Sequence, residues 1–150
     1  MLGVVQAVGA AQVGVCLSPN GEILGVNDTD PVALFTAAAT RLHEIGVAYL
    51  EVRESPAGKY MLSSETEQVH PAMHKAFGGT FFINGDFDLE REQRAVQEGE
   101  ADAVSYGRPF ISTPNLPEVF KAGKEPASKH PKTYYSLGAE GYIDYPASGV

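Results

Sequence analysis

Four short runs rich in branched and aromatic residues, Gln12–Leu17, Ala48–Val52, Thr80–Ile83 and Ala103–Tyr106, recur along this chain with longer segments between them. Each run has the length of a buried strand. Asp30–Glu44 fills the first gap, with Asp30 as N-cap, Pro31 at the first turn and a stripe of Val32, Leu34, Phe35, Leu42 and Ile45, before Gly46 closes it. His70–Phe77, with Pro71 in its first turn, predicts a second helix. Asp88–Glu98 predicts a third, with Leu89, Ala95 and Val96 inward and Gly99 as the stop. Pro114–Gly123 predicts a last, short helix. Such alternation predicts an α/β fold: a parallel sheet with right-handed crossovers, four βα units, half of a closed (β/α)8 or TIM barrel.

Two segments interrupt the pattern, Asn20–Thr29 after the first run and Glu54–Val69 after the second, the latter opened by Pro56 and Gly58. Long loops at the C-terminal ends of strands are where α/β barrels keep their chemistry. The organisation expected is a half barrel over residues 1–120 and a tail over 121–150. The tail is too rich in tyrosine for a disordered segment, so it is expected to pack on the body.

The chain of 150 residues is long enough to bury a core, and no stretch has the apolar length of a membrane span. Leu2–Val15 lacks the basic start of a signal peptide. A net charge of −8 disfavours nucleic acid and anionic membrane as partners. It does not exclude a phosphate-bearing ligand, which a local cluster of backbone N–H groups and one arginine can hold. With Cys16 as the single cysteine an internal disulfide is impossible, and a reducing, cytoplasmic setting is the expectation.

The ends of the runs carry ordered motifs. They are Val13-Gly14-Val15-Cys16-Leu17-Ser18-Pro19, Ala48-Tyr49-Leu50-Glu51-Val52, Ile83-Asn84-Gly85-Asp86-Phe87-Asp88 and Gly107-Arg108-Pro109-Phe110-Ile111, followed by Pro114-Asn115-Leu116-Pro117 and Gly138-Ala139-Glu140-Gly141-Tyr142-Ile143-Asp144-Tyr145-Pro146. This series resembles the last four strands and C-terminal segment of the Old Yellow Enzyme family of ene-reductases, with the plant oxophytodienoate reductases. The resemblance covers nearly the whole chain. It implies the C-terminal half of a TIM barrel whose mouth binds FMN, takes hydride from NADH or NADPH and reduces an activated alkene. It also implies that the family's substrate-binding histidine pair or His/Asn pair and its tyrosine proton donor lie on a segment that would precede Met1. No catalytic residue is therefore expected in this chain.

Asn84 and Gly85 end the third run, and Gly107 and Arg108 end the fourth. Glycine lets backbone N–H groups approach an anion, and a guanidinium grips phosphate bidentately. Read from the residues alone, a pair of tight turns with Arg108 in a surface ion pair stands beside the phosphate site. The resemblance favours the phosphate site, with Asp86 acceptable only if its carboxylate points away. It also implies that Tyr142 faces the flavin or the substrate channel; from the residue alone Tyr142 reads as a tail aromatic filling a groove on the barrel, and Tyr145 and Pro146 read as structural anchors. Where Cys16 stands, the family usually has an arginine at the flavin's pyrimidine edge; Cys16 itself reads as a small buried hydrophobe. His70 and His74, spaced i,i+4, read as a solvated helix face rather than a metal site, Glu67 being a poor third ligand. The charges of Glu90–Glu100 read as a solvent-facing surface with intrahelical pairs, and Glu51, Arg53 and Glu54 receive no role.

Half a barrel exposes two sheet edges, so any stable form is expected to be a homo-oligomer or to pair with a complementing half. The competing expectation is a non-catalytic phosphate-ligand-binding or assembly module built on the same fold.

Overall fold

The computed structural model describes residues 1–20, 28–54, 67–128, 130–135 and 137–149. Most of the two expected loops, residues 21–27 and 55–66 with Pro56 and Gly58, lies outside the described residues. The chain forms two compact units, Met1–Ser105 and Tyr106–Val150.

The first unit is built on a parallel sheet of β1 (Gly14–Leu17), β2 (Tyr49–Arg53), β3 (Phe81–Asn84) and β4 (Ala103–Val104), in the order β1-β2-β3-β4. Each strand falls within a few residues of one of the four apolar runs. With helices connecting them, these are the four βα units of half a barrel. The register pairs Gly14 with Tyr49, Cys16 with Glu51, Arg53 with Asn84 and Phe82 with Ala103.

One sheet face is the core side. Val15, Leu50, Val52, Phe81 and Ile83 alternate onto it and are buried. Helices α2 (Pro31–Ile45) and α3 (His70–Phe77) belong to the same unit; Ala39, Leu42, Met73 and Phe77 complete the core with the strand residues. Helix α1 (Leu2–Val8) and a 3-10 turn (Ala10–Gln12) precede β1. Asp30 caps α2 by accepting from the Ala33 N–H at 3.0 Å, and Gly46 ends the helix in the left-handed region, φ 79°. Of the expected α2 stripe, Val32, Phe35 and Ile45 pack against the core and Leu42 is buried within it. Leu34 does not: it is half exposed, because its position turns past the edge of the buried arc.

Helix α4 (Leu89–Gln97) is capped by Asp88, which accepts from Arg91 N–H at 2.8 Å. Ala95 is fully buried, but Val96, expected inward, is exposed, since one step along a helix turns a side chain by about 100°.

In the second unit, Gly107-Arg108-Pro109-Phe110-Ile111 is not a strand-end turn. Arg108–Ser112 is a short helix, α5, with Pro109 in its first turn and Gly107 before it at φ −100°. Proline there fits a helix start, since its missing N–H would have no partner anyway. Helix α6 (Leu116–Lys121) follows inside the expected Pro114–Gly123 span. The later residues are tied back to this pair. Asn115 donates to Ser148 O and accepts from Ser148 N–H, both at 2.9 Å, while Thr113 Oγ1 accepts from Ala127 N–H at 2.9 Å.

Candidate functional site: the open sheet face and its rim

Alternation along the strands sends every second residue to the face opposite the core. On that face the first layer is aromatic. The Tyr49 and Phe82 rings stack at 5.0 Å with 26° between planes, and Gly14 lies beneath the Tyr49 ring, where a Cβ would meet ring carbons at 2.1–2.5 Å. Toward the C-terminal ends of the strands the layer becomes polar, with Cys16, Glu51, Arg53, Asn84 and Ser105. Ser105 Oγ donates to Glu51, and Asn84 Nδ2 donates to Ser105 O at 2.9 Å.

Cys16 is a correction. It is exposed on this face rather than buried, because Val15 takes the core side. Partial burial of the thiol among its neighbours and the Glu51 carboxylate push it above the ordinary value, while the Arg53 guanidinium pulls it partly back.

At the exit of β3 the chain turns sharply. Gly85 has φ 149° and Asp86 has φ 35°, a region a non-glycine residue enters only at a cost. Asn84 and Gly85 thus sit together at the strand end in the first unit. Gly107, Arg108 and Tyr142 belong to the second unit. There Arg108 leads α5, close enough to temper the Tyr134 phenol, which burial and Tyr145 push up. Tyr142 is 70% exposed, so it fills no groove within its own unit. Tyr145 stacks on His130 at 6.2 Å, consistent with an anchoring role.

The residues missed by sequence reasoning lie at the rim between β2, α3 and α4. Glu54, the residue after β2, is buried. Its carboxylate accepts from Val69 N–H (2.9 Å) and His70 N–H (3.0 Å), and faces His70 Nδ1 at 2.7 Å. It thereby caps α3, whose own N-cap residue Val69 has no side chain able to do so. Asn20 Nδ2 donates to Glu54 and, at 3.0 Å, to Glu67 O. One carboxylate therefore ties Asn20, shortly after β1, to the start of α3.

His70 is accordingly not on a solvated helix face. It is buried, and its Nε2 lies 2.9 Å from Glu100 Oε1. Glu100 in turn receives both Arg91 terminal nitrogens at 2.7 Å, so it pairs outside any simple intrahelical pattern; Arg94–Glu90, at 3.1 Å, follows the expected i,i+4 rule. His74 stacks on Phe81 at 4.6 Å. Burial pushes the Glu54 carboxyl up, but the hydrogen bonds from His70 and the Val69 and His70 N–H groups outweigh it and hold the group below its ordinary value. The Arg91 hydrogen bonds, reinforced by the charges of Arg91 and His70, do the same for Glu100 against a smaller burial penalty. Among the described residues no three His, Cys, Asp or Glu side chains are placed to hold a metal ion, and no helix is long and apolar enough to cross a membrane.

The parallel four-stranded βα sheet is that of half an α/β barrel. Residues 2–126 match the model of the NADH:flavin oxidoreductase / NADH oxidase family, and the chain belongs to that family. It is 35% identical over 146 residues to putative 12-oxophytodienoate reductase 10 of Oryza sativa subsp. japonica, covering 93% of this chain and 46% of the relative. Among solved structures it is similar to the old yellow enzyme homologue from Zymomonas mobilis (TM-score 0.90, 35% identity, 97% of this chain, 41% of that one). It is also similar to morphinone reductase (TM-score 0.86, 34% identity, 97% of this chain, 38% of that one) and to that enzyme solved in complex with tetrahydroNAD (TM-score 0.82, 33% identity, 99% of this chain, 39% of that one). The chain thus spans less than half the length of these relatives.

Proposed function

We infer that this chain supplies the C-terminal half of an FMN site in an NADH- or NADPH-dependent reductase of activated alkenes. The observation that carries the reading is the open sheet face, aromatic at its base and polar at the C-terminal rim, in a chain of the flavin oxidoreductase family. A flat ring system suits such a face. In the first unit the Asn84–Gly85 turn suits a phosphate through backbone N–H groups; in the second, Gly107 and Arg108 suit one through a backbone N–H and a bidentate guanidinium. Tyr142, an exposed aromatic of the second unit, is the residue there suited to a flat ring. FMN supplies the hydride chemistry when bound; the residues of this chain bind and orient it. The remaining barrel wall belongs to a complementing half or a second copy, and the proton donor to a complementing half, in a cytoplasmic assembly.

Titration with FMN, followed by quenching of its fluorescence, tests the reading. Arg108→Ala is expected to weaken binding by about ten- to a hundredfold, the ~1.5–3 kcal/mol of hydrogen bonds to a charged group. A colourless protein that quenches no FMN would sink the proposal. Binding of FMN with no oxidation of NADH or NADPH, even beside a first half-barrel, would support the non-catalytic module instead.

Asp86 offers a finer check. It holds a left-handed conformation beside the proposed phosphate. Asp86→Gly relieves the backbone and removes a like charge, so FMN affinity should rise about fivefold, or ~1 kcal/mol. An unchanged or weaker affinity in the same titration would place the phosphate elsewhere.

A further inference from the structure

The charges on the open sheet face are few. Among the described strand residues there, Arg53 is the only cation, and it sits at the C-terminal rim as the last residue of β2, paired with Asn84 of β3. Two positions below it, Glu51 is engaged by Ser105 Oγ. Cys16, opposite Glu51 on β1, is held as an uncharged thiol at neutral pH by partial burial and that same carboxylate. The Arg53 guanidinium acts on the Cys16 thiol, so its charge reaches across the β1–β2 boundary to the middle of the face. Its side chain is exposed and builds none of the core.

A flavin lying on this face gains negative charge at N1 and C2=O when reduced. A fixed cation nearby stabilises that form more than the oxidised one and raises the reduction potential. Arginine keeps its charge at every working pH, and its planar fork can meet a carbonyl and a ring nitrogen together. Resting on the flavin reading above, we propose that Arg53 faces the pyrimidine edge of the bound isoalloxazine and stabilises the reduced ring. It is a potential-setting residue, distinct from the groups assigned to the phosphate.

The test compares the full chain with Arg53→Gln and Arg53→Lys, each titrated with oxidised FMN and with FMN reduced anaerobically by dithionite. Arg53→Gln should weaken binding of reduced FMN about tenfold more than that of oxidised FMN, which for a two-electron couple is a fall of about 30 mV in midpoint potential. Arg53→Lys, which keeps the charge, should recover most of this difference. Equal weakening of both forms, or of neither, would overturn the role while leaving the flavin reading intact. A wild-type chain that binds neither form would overturn both. A second measurement needs no flavin: the pH midpoint for alkylation of Cys16 should move upward in Arg53→Gln. An unmoved midpoint would put the guanidinium away from the face and also overturn the proposal.

Discussion

Replacing Glu54 with alanine should cost the fold about 3–5 kcal/mol, since it leaves several buried donors without their acceptor at ~1–3 kcal/mol each. The cause is the number of groups left behind. Val69 N–H, His70 N–H and the His70 ring all turn toward the vacated carboxylate, and α3 loses its cap. For a chain of this size the melting temperature should fall by roughly 10 °C. Glu54→Gln keeps the shape and loses the charge, so its cost should be smaller. Acid should act on Glu54 and Glu100, the two carboxylates that face the His70 ring. The folded-state pKa values of Glu54 and Glu100 are both depressed. Their stabilisation is therefore present above the ordinary carboxylate range and is lost as pH falls through the lower folded-state values. Chemical denaturation at neutral and acid pH should show the wild type losing more stability than Glu54→Gln. Parallel pH profiles for the two proteins would show that Glu54 contributes no charge-linked stability.

Phe81→Ala should be comparably damaging, at about 3–5 kcal/mol. Phe81 is fully buried on a strand paired on both sides, and the His74 ring stacks on it at 4.6 Å. Truncation leaves a cavity that paired strands cannot close by collapsing, and exposes the inner side of α3. Urea unfolding should show a lower midpoint at an unchanged slope. A loss below about 1 kcal/mol would mean that the site repacks, contrary to the tight interior the structure shows.

Much of the fold was legible because its signals are local. The strand runs, the Asp30 and Asp88 caps and the Gly46 stop each depend on a few adjacent residues. Cys16 was misjudged although a local signal existed: if Val13 and Val15 face the core, period-two alternation turns Cys16 to the other side. The clamp of Glu54, His70, Glu100 and Arg91 had no such signal. Its members come from three parts of the chain, and a charged residue beside a strand reads as solvated until its partners are known. The family resemblance named Asn84, Gly85, Gly107, Arg108 and Tyr142 as ligand groups, yet it gave no hint that Arg108 begins a helix.

The fit of Gly14 beneath Tyr49 bears on how the strands find one another. A one-residue slip of β1 along β2 is already opposed, since it would turn Val13 and Val15 away from the core. A two-residue slip would keep every apolar side chain on its proper face, and hydrophobic patterning alone would not reject it. It would, however, bring Gln12 or Cys16 to the place of Gly14, putting a Cβ where the Tyr49 ring now lies. The missing side chain therefore works as an alignment key, admitting the one pairing of β1 with β2 that lets the aromatic layer close.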